Sequence, residues 1–423
     1  MAAQGAALAD WKQAAEGVER RFSVLVDSRL IEGSSDEEQA AANEAASAAL
    51  SLPWELLHDG RTYLFHGKNP VRVRRCLAKE RPEPSNPTAL PIRILLVSPR
   101  PEDERAVYID HRSSARPLVE ALEGLGELVK LTILTPPDFL TLQEALRKAH
   151  EAGTPFHVVH FDGHGVYDRE HGLGALCFED PKDSQKLQNR ASELIYASSP
   201  KNKLGGERKY LADLVRDYRI PLVFLEACQT AKTEDIPTAS VAATLLKEGV
   251  TSIVAMSHSV LVETAHCFVK AFYKALAEGK RVGTAMLVGQ QALYGDTYRG
   301  KMMGAGDLHL QDWFVPVLYQ EEQDPQLITK WHPENVQQLQ AKQRRLSLGA
   351  LPDPPAHEFQ GRSRELLTLE RLLHTEPYAV VRGQGGEGKT TLAIELARWL
   401  VRTNRLNCKP YCMVIAIPRL LMI

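Results

Sequence analysis

Two reactive side chains end apolar, strand-length runs in this sequence. The run ending at His164 and Gly165 reads HVVHFDGHG over 157–165, and the run ending at Cys228 reads LVFLEAC over 222–228. An isolated cysteine, with a pKa of about 8.5, is mostly protonated at neutral pH. An imidazole held beside the thiol can remove that proton and later protonate a leaving amine. This combination predicts thiol-dependent hydrolysis of peptide bonds.

A repeated alternation of strands and helices must position these two side chains. The predicted strands are 92–97, 129–134, 156–161, 222–227, 252–256 and a last one near 313–318. The predicted helices are 115–125, 140–152, 207–218, 239–248 and 263–278. This alternation predicts an α/β fold with a doubly wound, mostly parallel sheet flanked by helices. Ligand sites lie outside the carboxyl ends of such strands, so we expect His164 and Cys228 at one crevice.

The residue after the histidine predicts a second element of the same chemistry. Gly165 has no Cβ, so its backbone can lie close to a substrate and aim its N–H at a carbonyl oxygen. Together with the N–H of Cys228 it would form an oxyanion hole, in which each donor lowers the barrier by about 3 kcal/mol.

A metal site is the competing interpretation of the histidine-rich strand. In an extended strand His160, Asp162 and His164 share one face, and imidazole with carboxylate suits zinc or iron. The spacing matches no familiar metallohydrolase pattern, and no further His/Asp cluster follows. We therefore expect no metal. Chelator treatment separates the two chemistries, because EDTA spares a thiol peptidase that iodoacetamide inactivates.

Several segments resemble the CHAT branch of the caspase-like peptidases. They are 52–57 (LPWELL), 160–165 (HFDGHG), 226–230 (EACQT), 249–255 (GVTSIVA) and 268–273 (FVKAFY). The resemblance covers roughly 50–320. It implies a caspase-like fold and a cysteine endopeptidase acting on a protein substrate, with His164 as acid/base and Cys228 as nucleophile. It implies no cofactor for the peptidase chemistry, and it leaves open an inactive CHAT scaffold that only binds partners.

The residues around the cysteine indicate which bond would be cleaved. The caspase signature QAC[RQG]G is met by EACQT at 226–230, with Glu for Gln and Thr for Gly. Related peptidases that cleave after Arg or Lys carry an acidic residue two positions before the cysteine, where Glu226 stands. The resemblance therefore implies a substrate pocket containing Glu226, with Asp162 as a second candidate, and a basic residue at P1.

A glycine-rich motif near the carboxyl terminus predicts phosphate binding. The segment 383–391 reads GQGGEGKTT, between a predicted strand at 378–382 and a predicted helix at 392–401. The predicted nucleotide-binding residues are Gly383, Gly385, Gly386, Gly388, Lys389, Thr390 and Thr391. The glycines let backbone N–H groups surround phosphates, the lysine reaches the outer phosphates, and the first threonine binds Mg²⁺. We expect ATP with Mg²⁺ as the ligand.

The segment before this motif, 359–366 (FQGRSREL), resembles the start of STAND-type NTPases, which switch between closed and assembled states. The resemblance implies nucleotide gating, a regulatory partner or self-association, and a role in immune or cell-death signalling. A nucleotide-dependent signalling switch is thus an alternative function. No acidic residue follows Glu395, and the only further predicted strand is 412–417. We therefore expect this NTPase unit to be incomplete in the sequence.

Changes in composition along the sequence divide the chain into four predicted parts. We predict an N-terminal helical segment (1–50, with a helix at 39–50), a peptidase unit (51–320), a polar linker with one helix (321–357) and a partial P-loop α/β unit (358–423). The six cysteines show no CxxC pair, which argues against disulfides and structural zinc.

Charge and hydropathy exclude several classes of partner. Lys+Arg number 51 against Asp+Glu 53, so there is no global positive field for nucleic acid or an anionic membrane. The apolar runs are far shorter than the roughly 20 residues that span a bilayer. The first residues lack a basic segment ahead of an apolar one, as a secretory signal requires. We expect a cytoplasmic protein.

Overall fold

The computed structural model describes residues 19–27, 34–67, 69–77, 86–103, 106, 108–168, 173–183, 186–198, 210–229, 237–258, 260–302, 306–329, 352, 359 and 361–403. Within these elements the side chains of 36, 40, 77, 111–114, 167–168, 173, 227–229, 237–240 and 302 lie outside the described part. The predicted linker helix and the predicted strand at 412–417 fall outside the described residues.

Strands and helices alternate through most of the described chain. The strands are β1 (Arg20–Val26), β2 (Val71–Leu77), β3 (Ile92–Val97), β4 (Val129–Ile133), β5 (Val158–Asp168), β6 (Leu173–Glu179), β7 (Ser192–Tyr196), β8 (Leu222–Gln229), β9 (Ser252–Met256), β10 (Tyr298–Met302), β11 (Gly306–His309) and β12 (Pro316–Gln320). The helices are α1 (Asp36–Ser51), α2 (His111–Glu123), α3 (Phe139–Glu151), α4 (Leu211–Asp217), α5 (Pro237–Lys247), α6 (Val262–Ala277), α7 (Val282–Gly295), α8 (Ser363–Thr375) and α9 (Lys389–Arg402).

One mixed, mostly parallel sheet organises the fold. Its order is β1-β2-β12-β9-β8-β5-β3-β4, and β6 and β7 extend it from β5. The pairs β12·β9, β5·β6 and β6·β7 are antiparallel, and the other pairs are parallel. Helices α2, α6 and α7 pack on one face, and α1, α3, α4 and α5 pack on the other. The predicted doubly wound α/β class is confirmed.

The central strands form where the sequence is apolar without alternation. Ile92, Leu95, Phe224 and Ile253 are fully buried, because helices cover both faces of their strands. Burying such a side chain stabilises the folded state by roughly 1.5–3 kcal/mol relative to leaving it exposed. The apolar runs therefore mark the strands that hold the site at the middle of the sheet.

The N-terminal segment contributes more than the predicted helix. That helix is confirmed as α1, and its capping box joins Ser35 to Glu38, so two end groups of the helix are satisfied reciprocally. The strand β1 before it was missed. It pairs in parallel with β2 along its whole length and extends the sheet on the side of β12.

A buried ion pair anchors the start of the predicted peptidase unit. Glu55, in the LPWELL segment, accepts two hydrogen bonds from Arg75 of β2, at 2.6 and 2.9 Å. The same guanidinium donates to the carbonyl oxygens of Leu50 and Leu52, at 2.5 and 2.7 Å. Both charged side chains are at most 1% exposed. Each nitrogen of the guanidinium and each oxygen of the carboxylate has a hydrogen-bond partner, which is the condition for retaining buried charge.

The described part of the C-terminal unit contains two helices, α8 and α9. Leu366 of α8 and Leu392 and Leu396 of α9 form its small core. The predicted helix at 392–401 is confirmed and begins at Lys389. The predicted strand at 378–382 is wrong, because no described strand lies beside this segment to pair with its backbone. Across the ranges given above, no helix is both long enough and apolar enough to cross a bilayer.

Candidate active site

The two reactive residues of the sequence lie opposite each other on adjacent strands. β5 and β8 pair in parallel, and the register sets His164 against Cys228 and Gly165 against Gln229. Neighbouring strands are about 4.8 Å apart, so the two backbones are that close at the carboxyl end of the sheet. His164 is 5% exposed. The backbone of Cys228 is described, whereas its side chain and Thr230 lie outside the described part.

Gly163 is closely packed just before this pair. Gly163 lies opposite Ala227 in the same register. A Cβ at Gly163 would come within 3.0 Å of the Phe161 ring and 3.3 Å of Pro99. No other residue fits without displacing that packing, and a displaced Gly163 would shift the histidine that follows it.

Asp162 lies below His164 on the same face of β5. Its carboxylate accepts hydrogen bonds from the Ser98 hydroxyl at 2.9 Å and from Arg100 at 2.5 Å. Arg100 also donates to the Asp162 carbonyl oxygen at 2.7 Å, so one guanidinium holds both the side chain and the backbone. Asp162 is 2% exposed. The negative charge of this carboxylate is therefore already paired with Arg100 inside the protein.

Glu226 lies directly opposite Asp162. It is two residues before Cys228 and on the same face of β8. Its carboxylate is 3.2 Å from Nε2 of His160 and keeps 13% of its side chain exposed. Burial raises the pKa of Glu226, and the neighbouring Asp162 raises it further, while His160 lowers it. Glu226 is the carboxylate of this pair that still reaches the surface.

A buried aromatic column supports Glu226. The His160 ring stacks on Phe224 with ring centroids 4.3 Å apart, and its Nδ1 lies 3.0 Å from the Tyr273 hydroxyl. Burial raises the pKa of Tyr273 well above 10, so its hydroxyl stays neutral. Both nitrogens of His160 are thus engaged. Among the described residues, no group of three or more His, Cys, Asp or Glu side chains could hold a metal ion.

The predicted oxyanion donors lie within the strand ladder. Gly165 is opposite Gln229 of β8 on one side and Leu176 of β6 on the other. An oxyanion role requires that the N–H of Gly165 point away from both neighbours. The assignment of Gly165 and Cys228 as donors stays a prediction.

The Gly-rich loop (383–388) leads into α9. Gly383, Gly386 and Gly388 have φ values of 157°, 85° and 72°, which glycine adopts without the penalty that a Cβ brings. The N–H of Gln384 donates to Glu387 at 2.8 Å, and the Lys389 ammonium donates to the Gln384 carbonyl oxygen. The remaining predicted residues, Gly385, Thr390 and Thr391, are exposed.

Comparison with known families identifies the central unit. The CHAT domain matches residues 45–332, which include the whole of the predicted peptidase unit. This chain belongs to the CHAT domain family. The predicted resemblance to CHAT proteins is thereby confirmed. A comparison with curated proteins gave no match.

Solved structures give distant likenesses to this CHAT protein. The separase–securin complex of Saccharomyces cerevisiae is 14% identical over 65% of this chain and 15% of that chain, with a TM-score of 0.31. The Arg-specific cysteine proteinase gingipain R is 12% identical over 73% of this chain and 64% of that chain, with a TM-score of 0.34. Caspase-1 from Spodoptera frugiperda is 12% identical over 58% of this chain and 92% of that chain, with a TM-score of 0.31.

Sequence reasoning missed the charged residues beneath the site of this CHAT domain. Arg100, Glu179 and Arg190 are buried and hydrogen-bonded to one another or to Asp162. Isolated arginines and glutamates in a sequence are usually solvated. The only available signal was that Arg100 follows an apolar strand, and that signal does not reveal its partners.

Proposed function

We propose that this CHAT protein is a cysteine endopeptidase that cleaves a partner protein with His164 and Cys228. The observation that carries the proposal is the register of β5 and β8, which sets these residues opposite each other at the carboxyl end of a CHAT-domain sheet. Ligand sites of open α/β sheets lie at that edge.

The proposed reaction has two halves. His164 takes the proton of the Cys228 thiol, and the sulfur attacks the carbonyl carbon of the peptide bond. The C–N bond breaks as His164 returns the proton to the leaving amine, which leaves an acyl-enzyme. Water, deprotonated by His164, then attacks the thioester and releases the acid and the free thiol. Backbone N–H groups at Gly165 and Cys228 would hold the oxyanion in both halves.

Glu226 is the best candidate for recognising the residue before the cleaved bond. Asp162 is paired with Arg100, whereas Glu226 retains exposed surface next to the backbone of Cys228. A partly buried carboxylate attracts a guanidinium or ammonium group more strongly than an exposed one does. These contacts support a basic P1 residue.

A peptide library tests this function and its specificity together. We expect wild-type protein to cleave after Arg or Lys, and Glu226→Gln to lower kcat/KM for Arg substrates about 10- to 100-fold relative to Leu substrates. Because the pKa of Glu226 is raised, the preference for Arg should strengthen as the pH rises and the carboxylate ionises. The exposed Glu263→Gln is the matched control. Dominant cleavage after Leu or Asp would contradict the assignment.

We further propose that the Gly-rich loop binds ATP with Mg²⁺ and that nucleotide state gates the peptidase. The positive φ angles of the loop glycines and the exposed Thr390 at the start of α9 support this proposal.

A nucleotide-binding assay tests the loop separately from the peptidase. We expect radiolabelled ATP to be retained by the intact chain and lost in Lys389→Ala, because the ammonium supplies the positive charge for the outer phosphates. The exposed Lys270→Ala should bind like wild type. Equal retention by Lys389→Ala and wild type would contradict the predicted site.

A further inference from the structure

The C-terminal helices dock on the CHAT domain beside the candidate site. Ser363 of α8 donates to Asp110 at 2.5 Å, and Arg364 lies 3.2 Å from Glu102. At the end of α9, Arg402 lies 3.2 Å from Glu120 of α2, and Trp399 is buried in the core of the CHAT domain. Basic residues on the helices thus meet acidic residues on the domain, which gives the contact a defined orientation.

One contact in this interface is buried. Arg371 of α8 is 9% exposed and donates to Glu179, the last residue of β6, whose side chain is 1% exposed. The other oxygen of Glu179 accepts from Arg190. The guanidinium of Arg371 in the C-terminal unit therefore contacts the buried carboxylate of Glu179 in the CHAT domain.

A continuous chain of buried hydrogen bonds leads from Arg371 to the strand of His164. Glu179 accepts from the N–H of Arg100 at 2.9 Å, on the oxygen that also accepts from Arg371. Arg100 then holds the carboxylate of Asp162 at 2.5 Å and its carbonyl oxygen at 2.7 Å. Asp162 is two residues before His164 on β5. These hydrogen bonds can therefore affect the position of His164 without any contact between the four side chains and the substrate.

We propose that Arg371 is a positioning residue through which the C-terminal helices control the peptidase site, by way of Glu179, Arg100 and Asp162. The inference rests on the proposed peptidase function for its consequence, and on the hydrogen-bonded chain for its mechanism. When α8 is docked, β5 is held in one position. When α8 leaves, the carboxylate of Glu179 reorients and the hold on Asp162 loosens.

The interface has the properties of a contact that can open. Burial lowers the pKa of Arg371 to about 10, the attraction of Glu179 offsets part of that effect, and Arg190 and Arg100 lower the pKa further. The attraction of Glu179 therefore offsets only part of the cost of burying the guanidinium. A cavity of about 310 Å³, lined by Ser98, Thr135 and Trp399 among others, leaves the interface incompletely packed.

Helix α9 connects this interface to the Gly-rich loop. It has 14 residues, begins at Lys389 and ends at Arg402 beside α2. At about 1.5 Å per residue it spans about 21 Å as one rigid element. A ligand that moves the start of α9 therefore also moves the contacts at its other end, and α8 packs on α9 through Leu366 and Leu396.

The experiment compares Arg371→Gln, Arg371→Lys and Arg364→Gln in the full chain. Arg364 is the matched control, since it lies on the same helix and contacts the CHAT domain but is 58% exposed. Amide hydrogen exchange in β5 and β6 is the first readout, because it does not depend on peptidase activity. The kcat and KM for peptide cleavage are the second.

We expect Arg371→Gln to raise exchange in β5 and β6 while leaving β9 and β12 protected. It should lower kcat about tenfold with little change in KM, since the site is displaced and not blocked. Arg371→Lys should restore part of both effects, and Arg364→Gln should change neither. Unchanged exchange in β5, an equal rise in β9 and β12, or a higher kcat would overturn the proposal. If wild type cleaves no peptide, the proposed function fails, and hydrogen exchange still decides whether the coupling exists.

Discussion

Cys228→Ala is expected to abolish peptide cleavage by this CHAT protein, with kcat/KM falling by about 10⁴-fold or more. Alanine removes the only atom that can form the acyl-enzyme, so what remains is binding without chemistry. His164→Ala should reduce kcat about 10²- to 10⁴-fold, because the thiol then loses its base and the leaving amine loses its acid. Steady-state kinetics on the best substrate of the library measures both effects.

Matched variants make these losses specific. Cys267 is a partly exposed cysteine of α6, and burial raises the pKa of its thiol, so Cys267→Ala should retain full activity. His258 is an exposed histidine beyond β9, and His258→Ala should also be active. Cleavage that survives Cys228→Ala, or that disappears in Cys267→Ala, would remove the proposed nucleophile. The nucleophile would then be another residue, whereas a binding scaffold would follow only if wild-type protein cleaved no peptide.

Glu55→Ala is expected to lower the free energy of unfolding by about 3–5 kcal/mol. The substitution leaves the Arg75 guanidinium buried with the carbonyl oxygens of Leu50 and Leu52 but without its countercharge. Burial and hydrogen bonding make the loss much larger than the distance alone implies, because water cannot screen or replace the missing carboxylate. Urea unfolding of the variant and of wild type measures the difference.

An exposed pair with the same separation is the control for that prediction. Arg147 and Glu151 of α3 are also 2.6 Å apart, but their side chains are 45% and 59% exposed. Glu151→Ala should leave the unfolding midpoint within error of wild type, since solvent replaces the contact. The double variant Glu55→Leu/Arg75→Met, which removes both charges, should be more stable than Glu55→Ala. Equal losses for Glu55→Ala and Glu151→Ala would contradict the dependence on burial.

The central part of the fold could be predicted because burial on both faces leaves a pattern in the sequence. The strands at 92–97 and 252–256 have the predicted limits, three others differ by one to three residues at an end, and β5 continues seven residues beyond its predicted end at 161. The strands β1, β2, β6, β7, β10 and β11 were missed. β1 has no buried residue and β6 is buried from 174 to 179, so neither shows the alternation of a half-buried strand, and the pairing of these strands depends on distant partners that a local pattern does not contain.

The sequence could predict which edge of the sheet carries the site, but not how the residues there face each other. Placing His164 and Cys228 at one edge followed from the connectivity of parallel strands. Their register did not, because one residue more or less in either strand would set His164 beside another partner. The sequence could not tell which of Asp162 and Glu226 is paired with an arginine and which reaches the surface, because both are carboxylates that precede a reactive residue by two positions.

The sequence by itself determined the order of the central strands and helices and the resemblance to the CHAT family, and it predicted thiol chemistry, because these depend on residue types and short spacings. Only the tertiary structure showed that Asp162 pairs with Arg100, that Glu226 contacts His160, and that Arg371 contacts the buried Glu179. Each of these contacts joins residues far apart in the chain. Their stability depends on how completely water is excluded around them, which no local stretch of sequence specifies.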